Sequence, residues 1–287
     1  MRRMETGRYR VADHEFAVHG TELCSVLDSI AGFRPFVREE ASEEFSFSCS
    51  GDLPQLARVQ YSFEFEDVLG EFGITSSGFF LRQKPADEEQ LLLWCNEGDD
   101  KVYLNGNLSV RLVRFALWVG FGLMTYRHGT VAIHSSCIVS DGRAVIFLGE
   151  SGTGKSTHTR LWKENIPGAT LLNDDSPIIR VIDGSVWAYG SPWSGKTPCY
   201  RQERYPLAGC VRLSQAPYNK IHKLQVIKGF AALHPSCPPE FAYDEKIYSH
   251  ISNTLSGILA AVPCYHLECL PDAAAAELSF NTLLGAK

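Results

Sequence analysis

The stretch AVIFLGESGTGKST, residues 144–157, places the tightest limit on what this chain can fold into. Four apolar residues, Val145 to Leu148, lead straight into Gly149. A G-x-x-x-x-G-K-S pattern follows: Gly149, Glu150, Ser151, Gly152, Thr153, Gly154, Lys155 and Ser156, with Thr157 next. A buried strand that ends in such a run must turn, and glycines let successive backbone N–H groups point into that turn. This nest and the N-terminus of a following helix together suit phosphate oxygens. Lys155 adds a point charge for the β- and γ-phosphates, and the Ser156 hydroxyl suits Mg2+. The residues after it, THTRLWKEN, are compatible with a helix. Nucleotide binding on Gly149 to Thr157 is the expectation. A glycine-rich structural turn does not explain lysine and serine together.

The chain has 287 residues, enough for two domains. Its net charge of −6 supplies no general attraction to nucleic acid or to an anionic membrane. Phosphate binding must therefore come from a local site. Nine cysteines are scattered, odd in number and without a C-x-x-C, which disfavours a zinc site and a disulfide framework. The start, MRRMETGRYRVADHEF, has no apolar core of a secretory signal. The longest greasy run, Phe115 to Tyr126, is too short to span a bilayer. A reducing cytoplasm is the expected setting.

Residues 1–108 read as a β-rich α+β domain, a candidate surface for substrate recognition or partner binding. Phe45 to Cys49 and Tyr61 to Glu66 alternate at period two. Gly78 to Leu81, Leu91 to Cys95 and Lys101 to Leu104 look like further strands, the last before a turn at Asn105-Gly106. One helix is expected near Glu22 to Ala31. Residues 109–287 read as the nucleotide-binding domain. A mostly buried helix runs from Val110 towards Arg127-His128-Gly129, and a strand from Thr130 to Val139 carries His134. Asp141-Gly142 and Asp183-Gly184 are two-residue turn signals. Strands are expected at Ala169 to Leu172, Ile178 to Ile182, Val186 to Ala188, Leu207 to Leu213 and Tyr265 to Leu270. Helices are expected over Asp244 to Val262 and Asp272 to Leu284, with Asp272 as a cap.

A site that holds Mg-nucleotide needs an acid at the end of a nearby strand. Asp174-Asp175 follows Ala169 to Leu172 and meets that need. One carboxylate can hold the metal. The other either accepts a proton from an attacking hydroxyl, worth roughly 10²–10⁴ in rate, or is a plain turn aspartate. His134, a lone histidine in a mostly apolar strand, reads by itself as a satisfied core histidine more readily than as a catalytic one. Lys196, after Ser194-Gly195, can bring a cation to a moving phosphoryl group or can be a surface lysine. Arg201 and Arg204 are weaker candidates, and Trp193 can cover a ligand or pack.

Ile133-His134-Ser135-Ser136, then AVIFLGESGTGKST, then LLNDD together resemble the HPr kinase/phosphorylase catalytic domain, a relative of the ATP-dependent phosphoenolpyruvate carboxykinases. In that family a histidine stands fifteen positions before the first loop glycine, as His134 stands before Gly149. The resemblance covers residues 128–270 and implies a P-loop α/β domain of that type. It implies ATP and Mg2+ as the cofactors. Lys155 would be catalytic and phosphate-binding, Ser156 and Asp174 metal-binding, Asp175 the base for a substrate serine, and His134 an aid near the transferred phosphate. The acceptor would be a serine of a peptide, protein or small molecule. The family's Leu-Glu-Ile-Arg-Gly segment has no clear match, and Ser191 lies at about that distance. The resemblance therefore does not extend to phosphorylase activity or to a phosphocarrier substrate. The family assembles as hexamers, which makes a homo-oligomer an expectation without an interface signature in this sequence. Two other readings stay open: a non-catalytic ATP-binding module, and a carboxykinase-like lyase acting on oxaloacetate.

Overall fold

A computed structural model describes residues 5–195 and 197–285. The chain is mixed α/β, built on two sheets, and divides into two compact units. The first comprises residues 1–125 and 240–245, the second residues 126–239 and 246–287.

The first unit contains strands β1 (Thr6–Val11), β2 (His14–His19), β3 (Phe45–Cys49), β4 (Leu56–Phe65), β5 (Val68–Thr75), β6 (Gly78–Pro85), β7 (Leu91–Asn96) and β8 (Lys101–Gly106). They form one sheet in the order β1-β2-β3-β8-β7-β6-β5-β4. Its helices are α1 (Thr21–Ser29) and α2 (Val110–Thr125). The sheet begins with a hairpin whose two turn residues, Ala12 and Asp13, sit at φ 49° and 60°. Such a turn matches the right-handed strand twist. Phe16 stacks on Tyr9 at 5.5 Å and on Phe45 at 5.2 Å, and Phe121 of α2 closes on the same rings. Gly120 lets α2 approach, because a Cβ there would stand 2.6 Å from the Phe47 ring. The segment Glu240–Glu245 lays Tyr243 on Tyr61 at 4.7 Å and Phe241 against Phe72.

The second unit holds β9 (Thr130–Ala132), β10 (Ser135–Ser140), β11 (Arg143–Leu148), α3 (Lys155–Asn165), β12 (Thr170–Asp175), β13 (Ile178–Ile182), β14 (Ser185–Tyr189), β15 (Arg204–Gln215), β16 (Lys220–Lys223), α4 (Val226–Leu233), α5 (Glu245–Ala261), β17 (Cys264–Cys269) and α6 (Ala273–Leu283). β15 organises the sheet. Its first residues pair antiparallel with β14, and the rest run parallel to β11 on one side and β17 on the other. β10 lies between β11 and β12, antiparallel to both. Val145 to Leu148 are fully buried, as expected of a strand covered on both faces. Asp141-Gly142 and Asp183-Gly184 make the two hairpin turns, with all four residues at positive φ. α3 and α6 cover one face through Trp162, Ala276 and Leu284 packed on Val145, Phe147 and Val211. Asp272 caps α6 by accepting from the Ala275 N–H at 2.9 Å.

Several sequence expectations need correction. The strand expected over Thr130 to Val139 is two strands, because Ile133 N–H turns to the Pro177 carbonyl and His134 N–H to the Ser236 carbonyl. Asn105-Gly106 is the end of β8, paired with β7, and not a turn. β1 and β2 lie in a stretch for which no strand is expected, as do β16 and the helix α4. Among the described residues no helix is long and apolar enough to cross a membrane.

His158 sets a pH dependence for the second unit. Its ring packs 4.6 Å from Phe147, and burial pushes the imidazole down to about 4. The unfolded chain binds this proton more readily, so folding stability falls as pH drops from about 6.5 to about 4. The full loss is about 3 kcal/mol. Urea unfolding of wild type and His158→Gln at pH 7 and pH 4 measures it. The variant should lose less stability between the two pH values. Equal losses would remove His158 from the account.

Candidate active site

Leu148 ends β11, and the next six residues form a glycine loop that delivers the chain to α3 at Lys155. Gly152 and Gly154 sit at φ 83° and 103°, a region that residues with a Cβ adopt at a cost. Thr153 closes the turn with its N–H and hydroxyl both donating to the Glu150 carbonyl. Gly154 caps α3 without a side-chain hydrogen bond. The first N–H groups of α3 therefore face out beside the loop with the positive end of the helix dipole, an arrangement that suits an anion.

Lys155 bends back over this loop. Its Nζ donates to the Gly149 carbonyl at 2.6 Å and the Glu150 carbonyl at 3.2 Å, and lies 3.1 Å from His134 Nε2. Partial burial pushes the ammonium pKa down, and the charges of Asp175 and Asp174 oppose that shift. His134 Nδ1 lies 3.1 Å from Asp175 Oδ1. An ammonium can only donate, so the network assigns the His134 proton to Nδ1, where it donates to Asp175. Lys155, His134 and Asp175 thus form one hydrogen-bonded chain. Both ends of the His134–Asp175 pair are accessible, with side chains 49% and 41% exposed.

Asp174 occupies a different environment on the same strand. It is buried, and accepts from the Ser156 hydroxyl at 3.0 Å and from the Ser136 hydroxyl. The β10–β12 ladder sets Ser136 directly opposite Asp174. Successive residues of a strand point to opposite faces, so Asp174 is held inward while Asp175 turns out. Asp175 also carries φ 131°, an unusual backbone for a residue with a Cβ, and pairs with Ser194 through an isolated bridge. Strain of this kind concentrates at functional sites.

Asn173 fixes the loop that faces these acids. It is fully buried. Its Nδ2 donates to the Trp193 carbonyl at 3.0 Å and to Ser191 Oγ at 3.2 Å, while Oδ1 accepts from Ser176 N–H at 2.9 Å. Gly195 N–H then donates to the Asp174 carbonyl.

The structure thus brings His134, Lys155, Ser156, Asp174 and Asp175 together at the end of β11 and β12. Glu150, Ser151, Gly152, Thr153 and Thr157 lie in or just beyond the loop, with Glu150 and Ser151 exposed. Lys196 lies outside the described residues. Arg204 does not join the site: its guanidinium lies over the Trp187 ring and donates to the Tyr189 hydroxyl. Arg201 pairs with Glu203, and Trp193 is buried in packing. Ser136, Asn173 and Ser191 are site-building residues to which sequence reasoning assigns no role. Ser136 and Asn173 fall inside the two motifs that flank the loop, which was the available signal. No family model matches the chain, and no curated protein matches it.

Proposed function

We propose that this chain is an ATP- and Mg2+-dependent phosphotransferase, built on a P-loop domain of the HPr kinase-like type. It transfers the γ-phosphoryl group to a hydroxyl, a serine of a peptide, protein or small molecule. The observation that carries this reading is the split between the two aspartates. Asp174 is buried against the Ser156 hydroxyl, and Asp175 is exposed and held by His134, which in turn touches Lys155. A site that only binds nucleotide has no need of the second arrangement.

The donor set supports Mg2+, since Asp174 and Ser156 offer hard oxygen atoms side by side. When bound there, the ion supplies neutralisation of the charge on the β- and γ-phosphate oxygens. The loop N–H groups and the start of α3 bind those phosphates. Lys155 carries three donors and can exchange its loop carbonyls for phosphate oxygens. The acceptor hydroxyl approaches Asp175, whose Oδ1 is engaged by His134 and whose second oxygen takes the proton. The hydroxyl oxygen forms its bond to the γ-phosphorus as the bond to the bridging β–γ oxygen breaks, and ADP leaves. Lys196 belongs to the proposal as a further cation for the phosphoryl group. The expected setting is the cytoplasm.

The full chain with γ-labelled ATP, Mg2+ and serine peptides or small hydroxyl compounds tests the reading. Label should pass to the hydroxyl. Calorimetry should show Lys155→Ala binding Mg-ATP about 10- to 100-fold more weakly, the size of one charged hydrogen bond. Tight ATP binding with neither transfer nor slow hydrolysis would reduce the protein to a binding module.

A further inference from the structure

The proposed reaction leaves one cluster of metal-binding side chains unused. β16 pairs antiparallel with β17 and sets His222 opposite His266. Glu268, two residues further along β17, lies on the same face as His266. One ligand atom from each of His222, His266 and Glu268 lies within 4.8 Å of the other two. The two imidazoles meet edge to face at 5.4 Å. Ser214 Oγ stands 2.8 Å from His266 Nε2, and the Tyr218 hydroxyl donates to Glu268 Oε1 at 3.1 Å.

We propose that His222, His266 and Glu268 form a divalent-cation site with two nitrogen ligands and one oxygen ligand, suited to zinc or a first-row transition metal. Imidazole nitrogen selects such ions over Mg2+ and Ca2+. The site is therefore chemically distinct from the oxygen pair of Asp174 and Ser156, and it uses no cysteine. Tetrahedral zinc ligands stand about 3.4 Å apart. Small side-chain rotations bring the three groups to that spacing, and exposed His222 has room to make them. Ser214 fills the supporting role that metal-bound histidines need. With Nε2–H donating to Ser214 Oγ, Nδ1 keeps the lone pair for the ion. Three protein ligands at an open strand edge leave a position for water or an exogenous ligand. An ion here ties the four-residue strand β16 to β17. The next residue after Ser214 on β15, Gln215, donates to the Gly152 carbonyl at 3.2 Å, so the strand that supports His266 also touches the glycine loop.

The test uses the full chain stripped of metal, with Zn2+ and Co2+ as probes. Calorimetry should show one tight equivalent of Zn2+. His222→Ala and Glu268→Gln should each weaken it at least tenfold, and Ser214→Ala by about 10- to 100-fold. Circular dichroism and melting without metal should match wild type for His222→Ala, because that side chain is exposed. If His266→Ala fails to fold, the His222 and Glu268 variants still decide. Co2+ should give visible ligand-field bands without the near-ultraviolet charge-transfer band of thiolate ligation. Zn2+ affinity unchanged in both variants, a thiolate band, or no binding at all would each overturn the site.

Discussion

Asp175→Asn is expected to slow phosphoryl transfer by roughly 10²–10⁴-fold, the usual worth of a positioned general base, with Mg-ATP affinity close to wild type. The asparagine keeps the shape and can still accept from His134 Nδ1, which stands 3.1 Å from Asp175 Oδ1. It cannot take a proton. Metal binding is proposed for Asp174, which keeps its hydrogen bonds to Ser156 and Ser136 in the variant. A single-turnover assay with pre-bound nucleotide isolates the step. A second variant separates chemistry from folding. Asp175 sits at φ 131°, where glycine is at ease. Asp175→Gly should therefore fold at least as stably as wild type, by up to about 1 kcal/mol, and still lose transfer. His134→Ala should lose less than Asp175→Asn, since it removes the orientation of the proposed base and leaves that carboxylate itself. Transfer at the wild-type rate in Asp175→Asn would end the assignment.

What the sequence made legible is local. Asp141-Gly142 and Asp183-Gly184 announce hairpins because two positive-φ residues in a row are cheap there, and both hairpins are present. The spacing of apolar residues over Val110 to Met124 and Ile247 to Ile258 gives α2 and α5, because each helix must bury one face. Pairing between strands distant in the chain left no such mark. Ser136 meets Asp174 only because β10 lies between β11 and β12, and nothing in either segment encodes that neighbour. His134 looked like part of one apolar strand. Its exposure depends on two backbone bonds to Pro177 and Ser236 that pull the chain out of the ladder. β16 is four residues long with lysine at each end, too short and too polar for alternation to show. The cluster of His222 with His266 and Glu268 was hidden with it, although His266 and Glu268 already share the i, i+2 spacing of one strand face.

Asn173→Asp should destabilise the second unit more than any conservative change near the loop, by about 3–5 kcal/mol at neutral pH. The wild-type amide satisfies partners of both kinds. Oδ1 accepts from Ser176 N–H at 2.9 Å, and Nδ2 donates to the Trp193 carbonyl at 3.0 Å. Aspartate keeps the acceptor and replaces the donor with a second oxygen, now facing carbonyl oxygen in a fully buried position. The Ser191 hydroxyl, 3.2 Å away, can turn to this oxygen only by giving up its bonds to the Ser176 and Trp193 carbonyls, and it brings no opposite charge. The introduced carboxyl must then have a raised pKa in the folded state. Folding takes up a proton, so the deficit relative to wild type should shrink as pH falls, when the protonated acid can again donate to Trp193. Measuring both proteins at each pH removes the His158 contribution, which both share. Asn173→Leu keeps much of the volume, removes the side-chain acceptor of the Ser176 N–H, and leaves the Trp193 carbonyl its bond from the Ser191 hydroxyl at 2.9 Å, so it should cost about 1–3 kcal/mol with no pH dependence of its own. Urea unfolding at pH 7 and pH 5 separates the three proteins. Wild-type stability in Asn173→Asp at neutral pH would show that the amide does not hold Ser191 and Trp193 against β12. In that case the placement of Asp175 beside Ser194 would need another cause.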